Sequence, residues 1–279
     1  MAVRIVVDST ADLPKEQAEE LGISVVPLRV QFGDDSYRDG VDLDTDGFYA
    51  KLATSKVMPT TAAPPSGLFE EAFRQLIKEG ADGILALQLS GALSATYNSA
   101  VVAAEALQDQ KVPVEVVDSR WVSAGIGIPA MEAARAAQAG KSLAECKQIA
   151  EDMFARMHIY AVLDTLEFLQ RGGRIGKARQ LLGTLLNVKP MLAVRGGVVQ
   201  PLENVRTRSK AYERLAQLLT QLGPIQIVGV AQSDEAIGEQ LTKAIQAVYS
   251  GPLLRYKLGP VIGAHTGPGT AALCVVTEK

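Results

Sequence analysis

The sequence has little cysteine and no long hydrophobic run. Its two cysteines, Cys146 and Cys274, stand alone in apolar or mixed stretches, which indicates neither a disulfide framework nor a thiolate metal site. No apolar run approaches the ~20 residues that a membrane-spanning helix needs. The first apolar residues end at Asp8 and do not form a signal peptide. We therefore expect a cytoplasmic protein.

Groups of metal-binding side chains are also scarce. The chain has two histidines, His158 and His265, and no cluster of His, Cys, Asp or Glu has the spacing of a metal site. The acidic stretch 42–47 opens like a calcium loop, but its twelfth position is Ala53, where a bidentate carboxylate is required. We expect neither a metal nor a cofactor.

Charge is distributed unevenly along the 279 residues, although the net charge is only −3. Residues 161–210 carry nine basic and three acidic side chains, a local charge of +6. The basic residues are Arg171, Arg174, Lys177, Arg179, Lys189, Arg195, Arg206, Arg208 and Lys210. Such a band is either a solvated face or a docking surface for an anionic membrane or an acidic partner.

The first half of the chain alternates apolar strands with helices. Strands are predicted near residues 3–7, 23–30, 83–87 and 114–117. This alternation is typical of a parallel α/β sheet, in which ligands bind beyond the carboxyl ends of the strands. Polar residues expected to line that edge are Asp8, Ser9, Thr10, Ser90, Ser94, Asp118 and Ser119.

Capping residues mark three of the predicted helix starts. Ser94 stands where the N-cap of the helix after the 83–87 strand is expected, and Thr45 precedes a short helix. Ser142 and Glu145 have the spacing of a capping box. The hydroxyls and free N–H groups around Ser94 can bind an anion, and the alternative is that they only cap the helix.

Past Met157 the sequence becomes rich in turns and basic residues. Residues 190–205 contain Arg195-Gly196-Gly197-Val198 between apolar runs, a hairpin signal that indicates antiparallel pairing. We predict an α/β fold of two domains. Residues 1–157 form a parallel α/β domain, and residues 158–279 form an α/β domain with antiparallel strands.

Two glycine-rich stretches loosely resemble nucleotide-binding motifs, but each lacks residues that the motif requires. Gly125 and Gly127 do not directly follow a strand, and no acidic residue is suitably placed to bind a ribose. Residues 176–178 lack both the leading glycine and the Ser or Thr of a P-loop. Neither stretch predicts a nucleotide site.

His265 lies in a glycine-rich loop near the end of the chain, a setting that can bring its ring close to a ligand. A structural turn histidine is the alternative.

Ser94 and His265 could also form the nucleophile and base of an acyl hydrolase. No Gly-x-Ser-x-Gly elbow surrounds Ser90 or Ser94 to present such a serine.

Taken together, these motifs resemble the DegV family, and the resemblance runs nearly from end to end. The matching pieces, in chain order, are Asp8-Ser9-Thr10-Ala11-Asp12, Pro59-Thr60-Thr61, Leu89-Ser90-x-x-Leu93-Ser94-x-Thr96-Tyr97-x-Ser99-Ala100, Asp118-Ser119, Leu163-Asp164-Thr165-Leu166-Glu167 with Gly172-Gly173-Arg174-Ile175, and His265-Thr266-Gly267-Pro268-Gly269. Ala62-Ala63-Pro64 departs from the family's usual Ser-Gln-Pro, and Ala95 replaces a common Gly.

The resemblance implies two α/β domains that clasp one long-chain fatty acid, such as palmitate or oleate. It also implies that the protein presents this acid to a bacterial fatty acid kinase for acyl-phosphate formation and phospholipid synthesis. By residue match, Thr61, Ser94 and His265 hold the carboxyl group. Residues expected near this site are Ser9, Thr60, Ser90 and Thr266.

We expect no catalytic turnover, because the sequence shows no nucleophile elbow, metal cluster or carboxylate pair. The fatty acid kinase and, transiently, an anionic membrane surface are the expected partners of a monomer that binds no nucleic acid. Arg174 is the first candidate for contact with them, followed by Arg206 and Arg208.

Overall fold

The computed structural model describes residues 2–183 and 188–279, which form helices and three β-sheets. The strands are β1 (Val3–Asp8), β2 (Ser24–Val26), β3 (Arg29–Phe32), β4 (Asp35–Arg38), β5 (Thr60–Ala62), β6 (Gly83–Gln88), β7 (Val114–Asp118), β8 (Met157–Val162), β9 (Lys189–Arg195), β10 (Val198–Val205), β11 (Ile225–Gln232), β12 (Leu253–Lys257) and β13 (Ala271–Thr277). The α-helices are α1 (Lys15–Glu20), α2 (Thr45–Thr54), α3 (Ser66–Lys78), α4 (Thr96–Glu105), α5 (Ala124–Gln138), α6 (Leu143–Ala155), α7 (Glu167–Arg171), α8 (Arg208–Thr220), α9 (Glu235–Gln246) and α10 (Pro260–Thr266).

The predicted parallel sheet is confirmed, with strand order β2-β1-β6-β7. A second, mixed sheet has the order β10-β9-β8-β13-β11-β12, in which only β11 and β12 pair in parallel. The hairpin predicted at residues 190–205 is the antiparallel pair of β9 and β10. A small antiparallel sheet, β4-β3-β5, completes the fold.

Helix α5 lies between the two large sheets. It packs against β1 and β6 of the parallel sheet and against β8 of the mixed sheet, and it contributes to one core cluster together with both sheets. Helices α3 and α4 cover the other face of the parallel sheet, and α8 and α9 cover the outer face of the mixed sheet. Because α5 joins both halves, the domain boundary at residue 157 stays a prediction.

The glycines of α5 allow this close packing. An ideal Cβ at Gly125 would lie 2.6 Å from Cδ1 of Ile159, and one at Gly127 would lie 2.7 Å from the carbonyl oxygen of Ala11. Both distances are shorter than a carbon side chain tolerates, so glycine lets the neighbouring chain approach. The pattern that loosely resembled a dinucleotide motif therefore serves helix packing.

The segment 23–30, predicted as one strand, is divided between two sheets. Strand β2 belongs to the parallel sheet and β3 to the small sheet. Pro27 lies between them and has no N–H to donate, while the Leu28 N–H donates to Ser9 Oγ at 3.0 Å. The chain is thus turned out of the first sheet at the break.

Two of the predicted helix caps are displaced by one residue. The N-cap of α4 is Ala95, and Ser94 Oγ accepts from the Thr96 N–H at 3.3 Å. The N-cap of α2 is Asp44, whose carboxylate accepts from Gly47 N–H at 2.8 Å. The capping box at the start of α6 is confirmed, with its two reciprocal hydrogen bonds present.

Gly127→Ala should lower the free energy of unfolding by about 1–3 kcal/mol, because the added methyl group meets a backbone carbonyl that cannot easily move. This loss exceeds the gain of up to about 1 kcal/mol that alanine gives a helix interior. Urea unfolding measures the effect. Gly67→Ala in α3, where nothing lies within 4 Å of the added carbon, is the control, and equal effects at both positions would contradict the packing argument.

Candidate functional site

Two adjoining cavities lie between the parallel sheet, the inner face of the mixed sheet and α10. The outer chamber has a volume of about 240 Å³, and the inner chamber has a volume of about 80 Å³. Their shared wall is formed by Val122, Leu169, Val199, Ile262 and Thr266. The two chambers therefore lie on either side of the same group of side chains.

The carboxyl ends of β1 and β6 border the outer chamber, and of the polar residues predicted at that edge of the sheet Thr10 and Ser94 line it. Thr10 follows β1 and Leu89 follows β6, and both line the chamber. The buried carboxylate of Asp8 connects them, since it accepts from the N–H groups of Thr10 at 3.0 Å and Leu89 at 2.7 Å. This bridge fixes the spacing between the two strand ends.

Thr61 and His265 meet in the wall of the outer chamber. Oγ1 of Thr61 and Nε2 of His265 form a hydrogen bond of 2.8 Å, although the residues are 204 positions apart. The sequence indicated a loop at His265, but this residue lies in the last turn of α10, and Gly267, with φ of +75°, is the C-cap of that helix. Residues 263–269 read as a glycine-rich turn in the sequence, yet the first of them belong to a helix that Pro260 opens at its first position.

The other nitrogen of the His265 ring is tightly enclosed. Among the described residues, Nδ1 is buried and has no hydrogen-bond partner. It lies directly against Gly172, at which a side-chain carbon would overlap the ring. The Gly-Gly-Arg turn after α7 therefore leaves room for the imidazole.

Arg174 lies in the cavity wall and is half-buried. Its Nε donates to the Leu93 carbonyl at 3.0 Å, and its Nη1 donates to the Gly172 carbonyl at 2.8 Å. Burial, reinforced by the nearby Arg174 charge, lowers the pKa of His265 to about 4. At neutral pH the imidazole is therefore uncharged beside a fixed positive charge.

Ser94 also lines the outer chamber, on the loop before α4. Its Oγ forms a hydrogen bond of 2.9 Å with Oγ1 of Thr96, in which either hydroxyl can be the donor. The structure thus places Thr61, Ser94 and His265 around one cavity.

The four residues predicted near the site differ in whether they line the chambers. Thr266 lines both chambers, although its hydroxyl donates to the Ile262 carbonyl within α10 at 3.0 Å. Ser90 is buried, and its hydroxyl donates to the carbonyl of Gly197 at the tip of the β9–β10 hairpin, 2.7 Å away. Ser90 therefore joins the two halves of the chain.

Ser9 and Thr60 point to other partners. Ser9 Oγ donates to Asp39 at 2.8 Å and borders a separate cleft next to α1. Thr60 is exposed, and its hydroxyl lies 3.4 Å from the side-chain oxygen of Gln31. Neither residue is among those that line the two chambers.

The three arginines predicted to contact a partner also differ in their surroundings. Arg174 lies in the cavity wall, as described above. Arg208 forms an ion pair with Asp164, which also binds Lys189 Nζ at 2.8 Å. Arg206 is exposed to solvent.

The inner chamber is apolar, and the sequence did not identify its lining. Alternate residues of two neighbouring antiparallel strands face it, with Ile159 and Ala161 on β8 and Ala272 and Cys274 on β13. Burial raises the pKa of the Cys274 thiol to about 12, so this cysteine stays protonated and apolar. The period-two alternation was visible in the sequence, but the identity of the facing surface was not.

Within residues 2–183 and 188–279 no group of three or more His, Cys, Asp or Glu side chains is arranged to hold a metal ion. The same residues contain no helix that is both long and apolar enough to span a bilayer.

The fold and the cavity define a class of α/β proteins in which two sheets enclose a largely apolar site with a few hydroxyl and imidazole groups at one end. A family model described as "Uncharacterised protein, DegV family" matches residues 2–278. A DegV domain-containing protein of Streptomyces coelicolor is 39% identical over 280 residues, which cover 98% of each chain. The chain belongs to the DegV family.

Two solved structures agree with this assignment over the full length of both chains. A DegV family protein from Thermus thermophilus, reported for its fatty acid binding, is 32% identical and superposes with a TM-score of 0.91. DegV from Bacillus subtilis, described as a fatty acid binding protein, is 31% identical with a TM-score of 0.89. Each covers 100% of this chain and is itself covered to 100%.

Arg174→Gln should raise the pKa of His265 from about 4 towards the ordinary histidine value, because it removes the positive charge that opposes protonation. Burial, the larger cause, remains, so the rise should be partial. Titration of the imidazole NMR signals measures it, with His158 as the reference in the same sample. Lys177→Gln, a change at an exposed position nearby, should leave the His265 titration in place; an identical shift in both variants would refute the local charge effect.

Proposed function

We propose that this protein binds a long-chain fatty acid, with the carboxyl group beside Thr61, Ser94 and His265 in the outer chamber and the acyl chain along the apolar lining of both chambers. The observation that carries the proposal is the Thr61–His265 hydrogen bond in the same chamber as Ser94, next to an apolar chamber. The fatty-acid-binding relatives from Thermus thermophilus and Bacillus subtilis support it.

The carboxylate head group needs hydrogen-bond donors, and neutral hydroxyl groups can donate to it without the burial of a second charge. In the neutral imidazole, Nε2–H can donate to Thr61 Oγ1, which leaves the Thr61 hydroxyl proton free to bind a carboxylate oxygen. Ser94 can turn its hydroxyl proton from Thr96 towards the other oxygen. The positive charge of Arg174 in the same wall favours the ionised carboxylate.

The tail supplies most of the binding free energy. At ~0.8 kcal/mol for each buried CH₂, a sixteen-carbon chain contributes roughly 11–12 kcal/mol before the association entropy is subtracted. Ala161, Ala193 and Ala272 in the inner wall are small side chains. This chamber accepts methylene groups and offers a charged group no partner.

Acyl hydrolysis by Ser94 and His265 is the weaker alternative. A hydrolytic histidine contacts the serine and is oriented through its other nitrogen, usually by a carboxylate. Here Nε2 of His265 binds Thr61, Ser94 Oγ binds Thr96, and Nδ1 has no partner among the described residues. We therefore propose a carrier without turnover.

A carrier that encloses its ligand has to pass it on. We propose that the protein presents the fatty acid to a fatty acid kinase for phospholipid synthesis, acting as a monomer in the cytoplasm and meeting anionic membranes transiently. The exposed Arg206 in the basic segment 161–210 supports an electrostatic encounter of this kind.

Protein purified from a bacterial host should release about one fatty acid per chain on denaturing extraction, as measured by mass spectrometry against a known protein concentration. Retention through purification follows from the burial of the acyl chain. Protein that yields no fatty acid and takes up neither added palmitate nor added oleate would show that the proposal is wrong.

Thr61→Ala, Ser94→Ala and His265→Ala should each weaken palmitate binding by about 1–3 kcal/mol, roughly a factor of 5 to 150. The first two changes remove a hydroxyl donor to the carboxylate, and the third removes the imidazole that orients the Thr61 hydroxyl. Calorimetric titration of delipidated protein measures the loss. Thr60→Ala, the exposed neighbour of Thr61, is the matched control. If Ser94→Ala binds palmitate normally and instead abolishes hydrolysis of an acyl ester, the hydrolase replaces the carrier.

Arg206→Glu should slow both acyl-phosphate formation by a fatty acid kinase and transfer to anionic vesicles, while bound fatty acid is retained. Long-range attraction speeds such encounters, and salt screens it, so the difference from the unmodified protein should shrink as salt is added. Lys78→Glu, a charge reversal at an exposed position on α3, is the control. Equal rates for all three proteins at low salt would mean that Arg206 is only a surface residue.

A further inference from the structure

Two buried carboxylates hold the start of the helix that carries His265. Asp12 Oδ1 accepts from the Gly259 N–H at 2.9 Å, and Asp39 accepts from the Val261 N–H. The exposed fractions of these aspartates are 9% and 5%. The carboxylates come from the first 40 residues of the chain, whereas α10 follows β12 of the mixed sheet, so the contacts join the two halves.

Each carboxylate is itself fixed by a serine. Ser123 Oγ, just before α5, donates to Asp12 Oδ2 at 2.5 Å, and Ser9 Oγ donates to Asp39 Oδ2 at 2.8 Å. The Ser9 hydroxyl also accepts from Leu28 N–H, which ties Asp39 to the chain between β2 and β3. The two aspartates therefore have fixed orientations before they meet α10.

Apolar contacts leave α10 little freedom beyond its N-terminus. Val261 and Ala264 are buried in a cluster with Leu28 and Phe48. The helix has only seven residues, so a displacement of its first turn moves His265 in its last turn as well. The position of the imidazole thus depends on where the helix begins.

Burial opposes the ionisation of both carboxyl groups. Burial raises the pKa of Asp39 to about 7, with the charge of Asp8 adding to the effect, and burial likewise raises the pKa of Asp12 well above its usual range. Because the folded pKa of Asp39 exceeds the unfolded one, the fold loses stability as the pH rises through the mildly acidic range to about 7.

We propose that Asp12 and Asp39 are positioning residues that hold α10 against the N-terminal half and thereby keep the His265 ring in contact with Thr61. The effect on fatty acid affinity rests on the proposed function, whereas the effect on the ring does not. Neither aspartate touches the ligand chamber, so both act through the helix.

The test compares Asp12→Ala and Asp39→Ala with the conservative variants Asp12→Asn and Asp39→Asn. Palmitate affinity should fall about tenfold or more in the alanine variants, which leave an N–H of α10 without its acceptor. It should fall less in the asparagine variants, since the amide oxygen can still accept and asparagine tolerates the left-handed backbone at residue 12, where φ is 51°. Asp46→Asn is the control, because the exposed carboxylate of Asp46 pairs with Lys257 on β12 and does not hold α10.

The second measurement is the NMR titration of the His265 ring in the ligand-free protein. In the alanine variants the His265 pKa should rise from about 4 towards the ordinary value as the ring leaves its enclosed position, while the His158 signals stay in place. Unchanged His265 signals and pKa in both folded alanine variants would overturn the positioning role, even if the affinity for palmitate changed.

A variant that leaves both carboxylates intact guards against failure to fold. An ideal Cβ at Gly259 would lie 2.8 Å from Asp12 Oδ1, and the backbone there, with φ of −65°, accepts alanine. Gly259→Ala should therefore displace the helix start and shift the His265 titration as Asp12→Ala does; a wild-type titration overturns the proposal. If the unmodified protein binds no palmitate, the proposed function fails and the His265 titrations alone decide.

Discussion

The site depends on one hydrogen bond between distant parts of the chain. Thr61 lies on an edge strand of the small sheet, and His265 lies on a short helix near the end of the chain. The two meet only when the parallel sheet, the small sheet and α10 are assembled. A buried polar group without a partner is unfavourable by several kcal/mol in an apolar setting. The pairing therefore makes a polar end possible in a cavity whose other end is apolar.

Polar contacts between the two halves surround this cavity. Ser90 reaches the Gly197 carbonyl, and Arg174 reaches the Leu93 carbonyl. Both bonds attach parts of the mixed-sheet half to the loop that carries Ser94. Together with α5, which packs against both large sheets, they hold the two halves against each other. Burial of apolar surface supplies the driving force, and these directional bonds determine how the halves align.

Much of the fold was predictable because its signals are local. The strand at 83–87, the hairpin at 190–205 and the capping box of Ser142 and Glu145 follow from patterns within a few residues, and the structure confirms all three. The break of the 23–30 segment was missed although Pro27, which cannot donate to a sheet, marks it in the sequence. The bond from the Leu28 N–H to Ser9, which fixes the new direction of the chain, is a tertiary contact that no local pattern shows.

The site was predictable only in part, because some of its residues are placed by neighbours in space. Thr61, Ser94 and His265 were identified by resemblance, and the structure brings them to one cavity. Arg174 was assigned to the surface because charge in a turn-rich segment usually faces water. Its position beside His265 results from the Gly172 turn, in which the absence of a side chain admits the imidazole. Such a requirement is set by the neighbour in space and is not visible in the sequence.

The most direct measurement of the central claim is the ¹³C NMR signal of palmitate labelled at its carboxyl carbon, bound to the protein and followed as the pH is lowered. We expect one resonance of an ionised carboxylate that persists through the mildly acidic range in which free carboxyl groups begin to gain protons, because the hydroxyl donors and Arg174 stabilise the charged form. A bound resonance that titrates as the free acid does would contradict it, since the carboxyl group would then lie in water.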